Sequence, residues 1–287
     1  MHATMAETQV DAVKRAQEEF VIQPRSGWQP VCFKELWQYR AVLYIMAWRD
    51  IKLRYRQTVL GGVWAVLQPL LAMLIFTVLF SRIGHIQAGG PPYPVFAYAG
   101  LVPWTFFANA VTMASSSLLG NQALVSKVYF PRLFIPLGAI CALLLDLLVG
   151  LALALVLMAV YHCPLHWTLL TLPLFLVATV CAASGVSLLL AALNVRYRDV
   201  KYVVPFIVQM GMFVTPVIYP MSFVPAWTRP FLAFNPMTGA VMGFRYALFG
   251  GALDMPLVIV SICTSVVILF AAVVIFRRME VEFGDVI

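Results

Sequence analysis

Six apolar stretches, at about 61–83, 95–118, 133–161, 168–193, 203–219 and 255–276, recur along a chain of 287 residues. Each is long enough to cross a hydrocarbon core of about 30 Å at 1.5 Å per helical residue. Only 11% of the residues are charged and 62% are apolar, against about 25% charged in ordinary soluble domains, so the surplus apolar surface requires lipid as its solvent. A membrane β-barrel would instead alternate polar and apolar residues over about 10 positions, a pattern missing from these stretches. The expected fold is therefore an all-α integral membrane protein with six transmembrane helices.

Charge placement predicts orientation, because Lys and Arg near span ends prefer the cytoplasm. Sixteen of the nineteen Lys and Arg residues fall before the first span, between the second and third, between the fourth and fifth, or after the sixth. Arg82, Arg229 and Arg245 alone fall on the other side. Both termini are expected in the cytoplasm, and the net charge of +7 is a signal of topology, with little to recommend nucleic acid as a partner. The first 30 residues are polar and show no apolar core or small-residue cleavage site of a secretory signal. The five cysteines are dispersed, and no disulfide framework or metal cluster follows from them.

Two segments depart from a plain span. Residues 221–253 are apolar but interrupted by Pro and Gly, which suits short re-entrant helices on the external side, covered by protein or lining a cavity. Residues 34–57, wound as a helix, gather Trp37, Tyr44, Trp48, Ile51 and Tyr55 in one sector, beside a polar stripe of Lys34, Gln38, Arg49, Lys52 and Arg56. This is the pattern of an amphipathic interfacial helix lying in the headgroup plane; a short helix packed on a protein partner is the lesser alternative, and the two roles are compatible.

No glycine-rich loop ending in Lys-Ser or Lys-Thr is present to cradle a nucleotide phosphate, and no His-Glu-x-x-His or Gly-x-Ser-x-Gly sequence occurs. The chain is expected not to be an enzyme and to hold no cofactor, so ATP and Mg, if they drive it, bind another polypeptide. Asp146 is the one acidic residue deep inside a span, where a charge costs at least about 2.5–3.5 kcal/mol. It implies either a structural hydrogen bond or a place on a polar pathway with Asn109. Trp104, Phe106, Phe107 and Tyr219, among other aromatic residues toward the external side, read either as an interfacial belt or as ring faces lining a conduit for sugars.

Several separated runs carry a resemblance that covers about residue 37 to the end: RDIKLRYRQTVLGGVWAVLQPLL (49–71), YAGLVPWTFFANAV (98–111), NQALVSKVYFPRLFIPL (121–137), NVRYRDVKY (194–202), NPMTG (235–239) and EFGDVI (282–287). They resemble the permease subunits of ABC exporters for lipid-linked polysaccharides, which include O-antigen, teichoic-acid and capsule exporters, and they are most similar to the O-antigen branch. The resemblance implies a homodimer in the bacterial inner membrane, joined by two copies of a cytoplasmic ATPase, that passes an undecaprenyl-diphosphate-linked glycan to the periplasm. It implies a gate helix at 34–57 with Trp37, Tyr44, Trp48 and Tyr55, a transmembrane domain at 58–280, and a tail at 281–287; the polar segment 1–33, expected as a cytoplasmic arm, is not part of the shared pattern. It further implies a coupling helix at about 121–132, with Asn121, Lys127, Tyr129, Pro131 and Arg132, and an external gate at 221–253. Arg54, Arg56, Arg132, Arg196 and Arg198 are the candidates for holding the diphosphate, since guanidinium forks match its oxygens. Another glycan or a small amphipathic molecule stays open as the cargo. A membrane glycosyltransferase would rest on Asp50 and Asp199 alone.

Overall fold

The computed structural model describes residues 37, 39–56, 63–83, 90–127, 130–281 and 283, and these are helices and turns without a strand. The helices are α1 (Arg40–Arg56), α2 (Val63–Phe76), α3 (Tyr93–Gly120), α4 (Gln122–Lys127), α5 (Phe134–Val160), α6 (Leu172–Arg196), α7 (Val200–Val214), α8 (Arg229–Ala233), α9 (Pro236–Phe249) and α10 (Met255–Glu280). A wider-wound turn, Thr77–Ile83, prolongs α2, and a tight 3₁₀ turn, Trp167–Thr171, leads into α6. The arm at 1–33 and the end of the tail lie outside the described residues, as do Lys34 and Gln38 of the expected polar stripe.

Among the described residues, four helices are long and apolar enough to cross a membrane: α3, α5, α6 with its leading turn, and α10, of 28, 27, 30 and 26 residues. The first and fifth predicted spans are represented by shorter apolar helices, α2 and α7. The fifth ends at Val214 rather than near Tyr219, because Pro216 disfavours helical geometry in the residue before it. Thr215 is accordingly extended, with φ −80° and ψ 139°.

α3 is the central element, buried over most of its length, whereas α10 keeps most of its apolar surface exposed, as befits a helix turned toward lipid. α6 packs against both α3 and α10, and the contact with α10 is close: a Cβ on Gly185 would stand 2.8 Å from the backbone nitrogen of Leu269. The NPMTG run starts α9. The Asn235 side chain accepts from Met237 N–H at 3.0 Å, and Pro236 occupies the first turn, where its missing N–H costs nothing. Ser261 of α10 then accepts from Gly239 N–H at 2.8 Å and donates to the Asn235 carbonyl at 2.6 Å. The stretch predicted as re-entrant does form short pieces, turns at Met221–Phe223 and Ala226–Thr228 followed by α8 and α9.

One end of the helices, called here the basic end, carries Arg132, Arg196, Arg198 and Arg277. An apolar cluster of its own forms there, with Met46 of α1, Val125 of α4, Phe130, Leu133, Phe276 and Phe283. Phe276 and Phe283 meet edge to face at 5.4 Å.

Candidate functional site

The contacts of α1 climb along the first half of α5. At the basic end a Cβ on Gly138 would stand 3.0 Å from Met46 Cβ, so the glycine is what lets the two helices approach. Eight residues further along α5, roughly 12 Å at 1.5 Å per residue, α1 reaches Asp146. There Arg54 Nη2 stands 2.8 Å from Asp146 Oδ2, and the Tyr55 hydroxyl donates to Asp146 Oδ1. The physical reason for the climb is this carboxylate, which inside a span needs a cationic partner, and α1 delivers one.

Beside this triad lies a cavity of about 170 Å³ between α1, α2, α3 and α5. Arg54, Tyr55, Gln68, Thr105, Asn109 and Asp146 supply its polar wall, and Phe106, Leu143, Leu147 and Gly150 its apolar one. A mixed wall of this kind can solvate waters or hydroxyl groups. It contains no nucleophile paired with a base, and the described residues contain no cluster of metal-ligating side chains.

Of the residues expected on a substrate path, Asn109, Asp146 and Phe106 thus share one cavity, while Trp104 and Phe107 do not reach it. These two pack on each other at 5.3 Å, and they are 5% and 8% exposed. Trp104 presses on α7 at Gly211, where a Cβ would stand 3.0 Å from its ring. Because α3 is central, Trp104 and Phe107 fill the subunit interior. Tyr219 belongs to a different place, an open groove with Phe223, Pro225, Trp227 and Phe231 at the end opposite the basic one. Its hydroxyl donates to the carbonyls of Phe213 and Val214 at 3.1 Å.

The predicted basic candidates separate in the same way. Arg54 is paired with Asp146. Arg132 is held by the last turn of α10: its backbone N–H donates to Glu280 Oε1 and its Nη1 to the Glu280 carbonyl, both at 2.8 Å. Arg56, Arg196 and Arg198 are exposed. In the segment read as a coupling helix, α4 covers Gln122–Lys127, Asn121 Nδ2 donates to the Ser117 carbonyl at 2.8 Å, and Pro131 is buried. Tyr129 and the Lys127 side chain lie outside the described residues. Trp37, ahead of α1, and Tyr44 and Trp48 on it are exposed, and the last two stack at 6.5 Å.

Sequence reasoning missed Arg245. Placed among the loop cations by position, it is only 9% exposed, lies over the Phe96 ring at 3.6 Å, and donates to the carbonyls of Phe96 at 3.3 Å, Pro216 at 2.7 Å and Val217. A signal did exist: an arginine flanked by the apolar run of α9 has no aqueous loop to occupy.

A family model described as ABC-2 type transporter matches residues 41–249. The chain is 31% identical over 255 residues to the O-antigen export system permease protein RfbA of Myxococcus xanthus, covering 88% of this chain and 97% of that protein. It is 27% identical to the protein of the same name from Klebsiella pneumoniae, over 86% of this chain and 95% of that one. To the polysialic acid transport protein KpsM of Escherichia coli it is 26% identical, over 71% and 79% respectively.

Proposed function

This chain belongs to the ABC-2 type transporter family, a membrane permease of an exporter, and from that premise we propose that its cargo is a lipid-linked polysaccharide of the O-antigen kind. The similarity to O-antigen export permeases over nearly the whole of both chains is the observation that carries this reading. The cargo crosses from cytoplasm to periplasm attached to undecaprenyl diphosphate, through a path between two copies of the chain. α2 with its prolonging turn and α7 complete six spans with the four long helices, and α8 and α9 are re-entrant on the periplasmic side. The basic end faces the cytoplasm in agreement with the positive-inside rule, and both termini lie there. α4 and the turn to Pro131 form the rigid element on which a separate ATPase, holding ATP and Mg, acts. The exposed guanidinium groups of Arg56, Arg196 and Arg198 are suited to meeting the diphosphate at that surface.

The expected result is that the purified chain hydrolyses no ATP alone, and that adding its ATPase gives turnover stimulated by lipid-linked polymer. Robust hydrolysis by the isolated chain would sink the division of labour. The similarity to a polysialic acid transport protein favours a capsule glycan as the second reading; stimulation by an acidic capsule polymer, with none by O-antigen, would select it.

A further inference from the structure

The triad at Asp146 sits at one end of α1, and the apolar cluster of the basic end sits at the other. We propose that Asp146 is a positioning residue: acting through Arg54 and Tyr55, it latches α1 against α5, and its release is the step that lets motion at segment 121–132 alter access to the cavity. The second half rests on reading that segment as the ATPase contact; the latch itself rests on geometry.

Three observations support it. First, the apolar hold on α1 is concentrated toward the basic end: Met46 is buried, and Val42 and Leu43 pack on the same cluster, whereas Tyr44, Ile45, Trp48 and Leu53 are 47–68% exposed. The far end of α1 is therefore fixed by its polar contacts. Second, the latch has somewhere to go. Asp146 is 11% exposed at its side chain and borders a cavity that offers Gln68, Thr105 and Asn109 as replacement partners. A carboxylate with a second set of polar groups within the same cavity is suited to the two-state switching that coupling between sites requires. Third, Met46 belongs to the same apolar cluster as Val125 of α4 and Phe130, so one rigid helix of 17 residues spans from the contact segment to the cavity.

The test uses the full chain in lipid nanodiscs carrying Leu143→Cys, one turn from Asp146 on α5, where Leu143 is 0% exposed and lines the cavity beside Arg54 and Tyr55. Labelling at position 143 by a maleimide, located by peptide mass spectrometry, reports undocking of the far end of α1. Asp146→Asn, Arg54→Met and the neutral pair Arg54→Met/Asp146→Asn should each label about tenfold faster than the parent, since local opening sets the rate. Arg54→Lys/Asp146→Glu, which keeps both charges, should stay close to it. The neutral pair separates latching from folding, because removing both partners of a buried pair is often close to neutral for stability. Parent-like labelling of the neutral pair would overturn the proposal, as would labelling of the conservative pair as fast as the neutral one. A neutral pair that no longer elutes as a folded protein would overturn it too, by making the pair a condition of folding. No ATP, ATPase or polymer enters the assay, so its failure would leave the export reading standing.

Discussion

Arg245→Met should destabilise the protein by about 3–5 kcal/mol, the range reached when a buried polar network loses its hub. The side chain is nearly isosteric along its stem, so the loss isolates the guanidinium. Three carbonyls, of Phe96, Pro216 and Val217, receive its hydrogens. Two of these belong to the turn after α7, where Pro216 has no N–H to offer a ladder. Without the guanidinium they face an apolar interior, at about 1–3 kcal/mol for each group left unsatisfied. Arg245→Lys should recover little of this, since one ammonium cannot reproduce a planar fork or its stacking on Phe96. Thermal unfolding in detergent, followed by the monodisperse fraction on size exclusion, measures both. Parent-like melting of Arg245→Met would mean that the turn 215–218 is held by something else.

Gly243→Ala should be the most damaging single methyl in the protein. A Cβ at that position would fall 1.9 Å from Phe175 Cδ1, 2.1 Å from Cε1 and 2.4 Å from Cγ, well inside van der Waals contact. Phe175 is 3% exposed, so the ring has no free space to enter, and α9 must separate from α6 instead. Overpacking ordinarily costs about 1–3 kcal/mol, and a collision with the base of a ring belongs at the upper end. The diagnostic result is rescue: Gly243→Ala/Phe175→Leu should fold better than Gly243→Ala alone, a non-additivity that a double-mutant cycle reads directly. Equal damage in the double variant would deny the contact.

The long helices were legible because lipid imposes a length and a polarity that a single sequence displays openly. α3, α5, α6 and α10 match the predicted spans to within a few residues. α7 was misjudged at its far end since an apolar count runs through Pro216, and the backbone does not. Asp146 stood out for the same reason that the spans did, as a charge in the wrong solvent. Its partner could not be read: Arg54 lies ninety-two residues earlier in a run of cations that the positive-inside rule already explains, and nothing local distinguishes a paired cation from a solvated one. Arg245 escaped by the mirror-image error, being assigned to a loop when it is buried. Trp104 and Phe107 show a further limit. Aromatic residues near a span end fit a belt, a conduit or a core equally well, and only the central position of α3 decides for the core.

The tie between Arg132 and Glu280 has a mechanical consequence. It joins the start of α5 to the finish of α10 by two hydrogen bonds to one residue, and beyond that stitch α10 runs along α6 and α9 instead. Two long rods riveted near one tip can open like scissor blades: a small rotation at the rivet becomes a displacement of many ångströms at the distant tips, some 40 Å away for helices of 26 and 27 residues at 1.5 Å each.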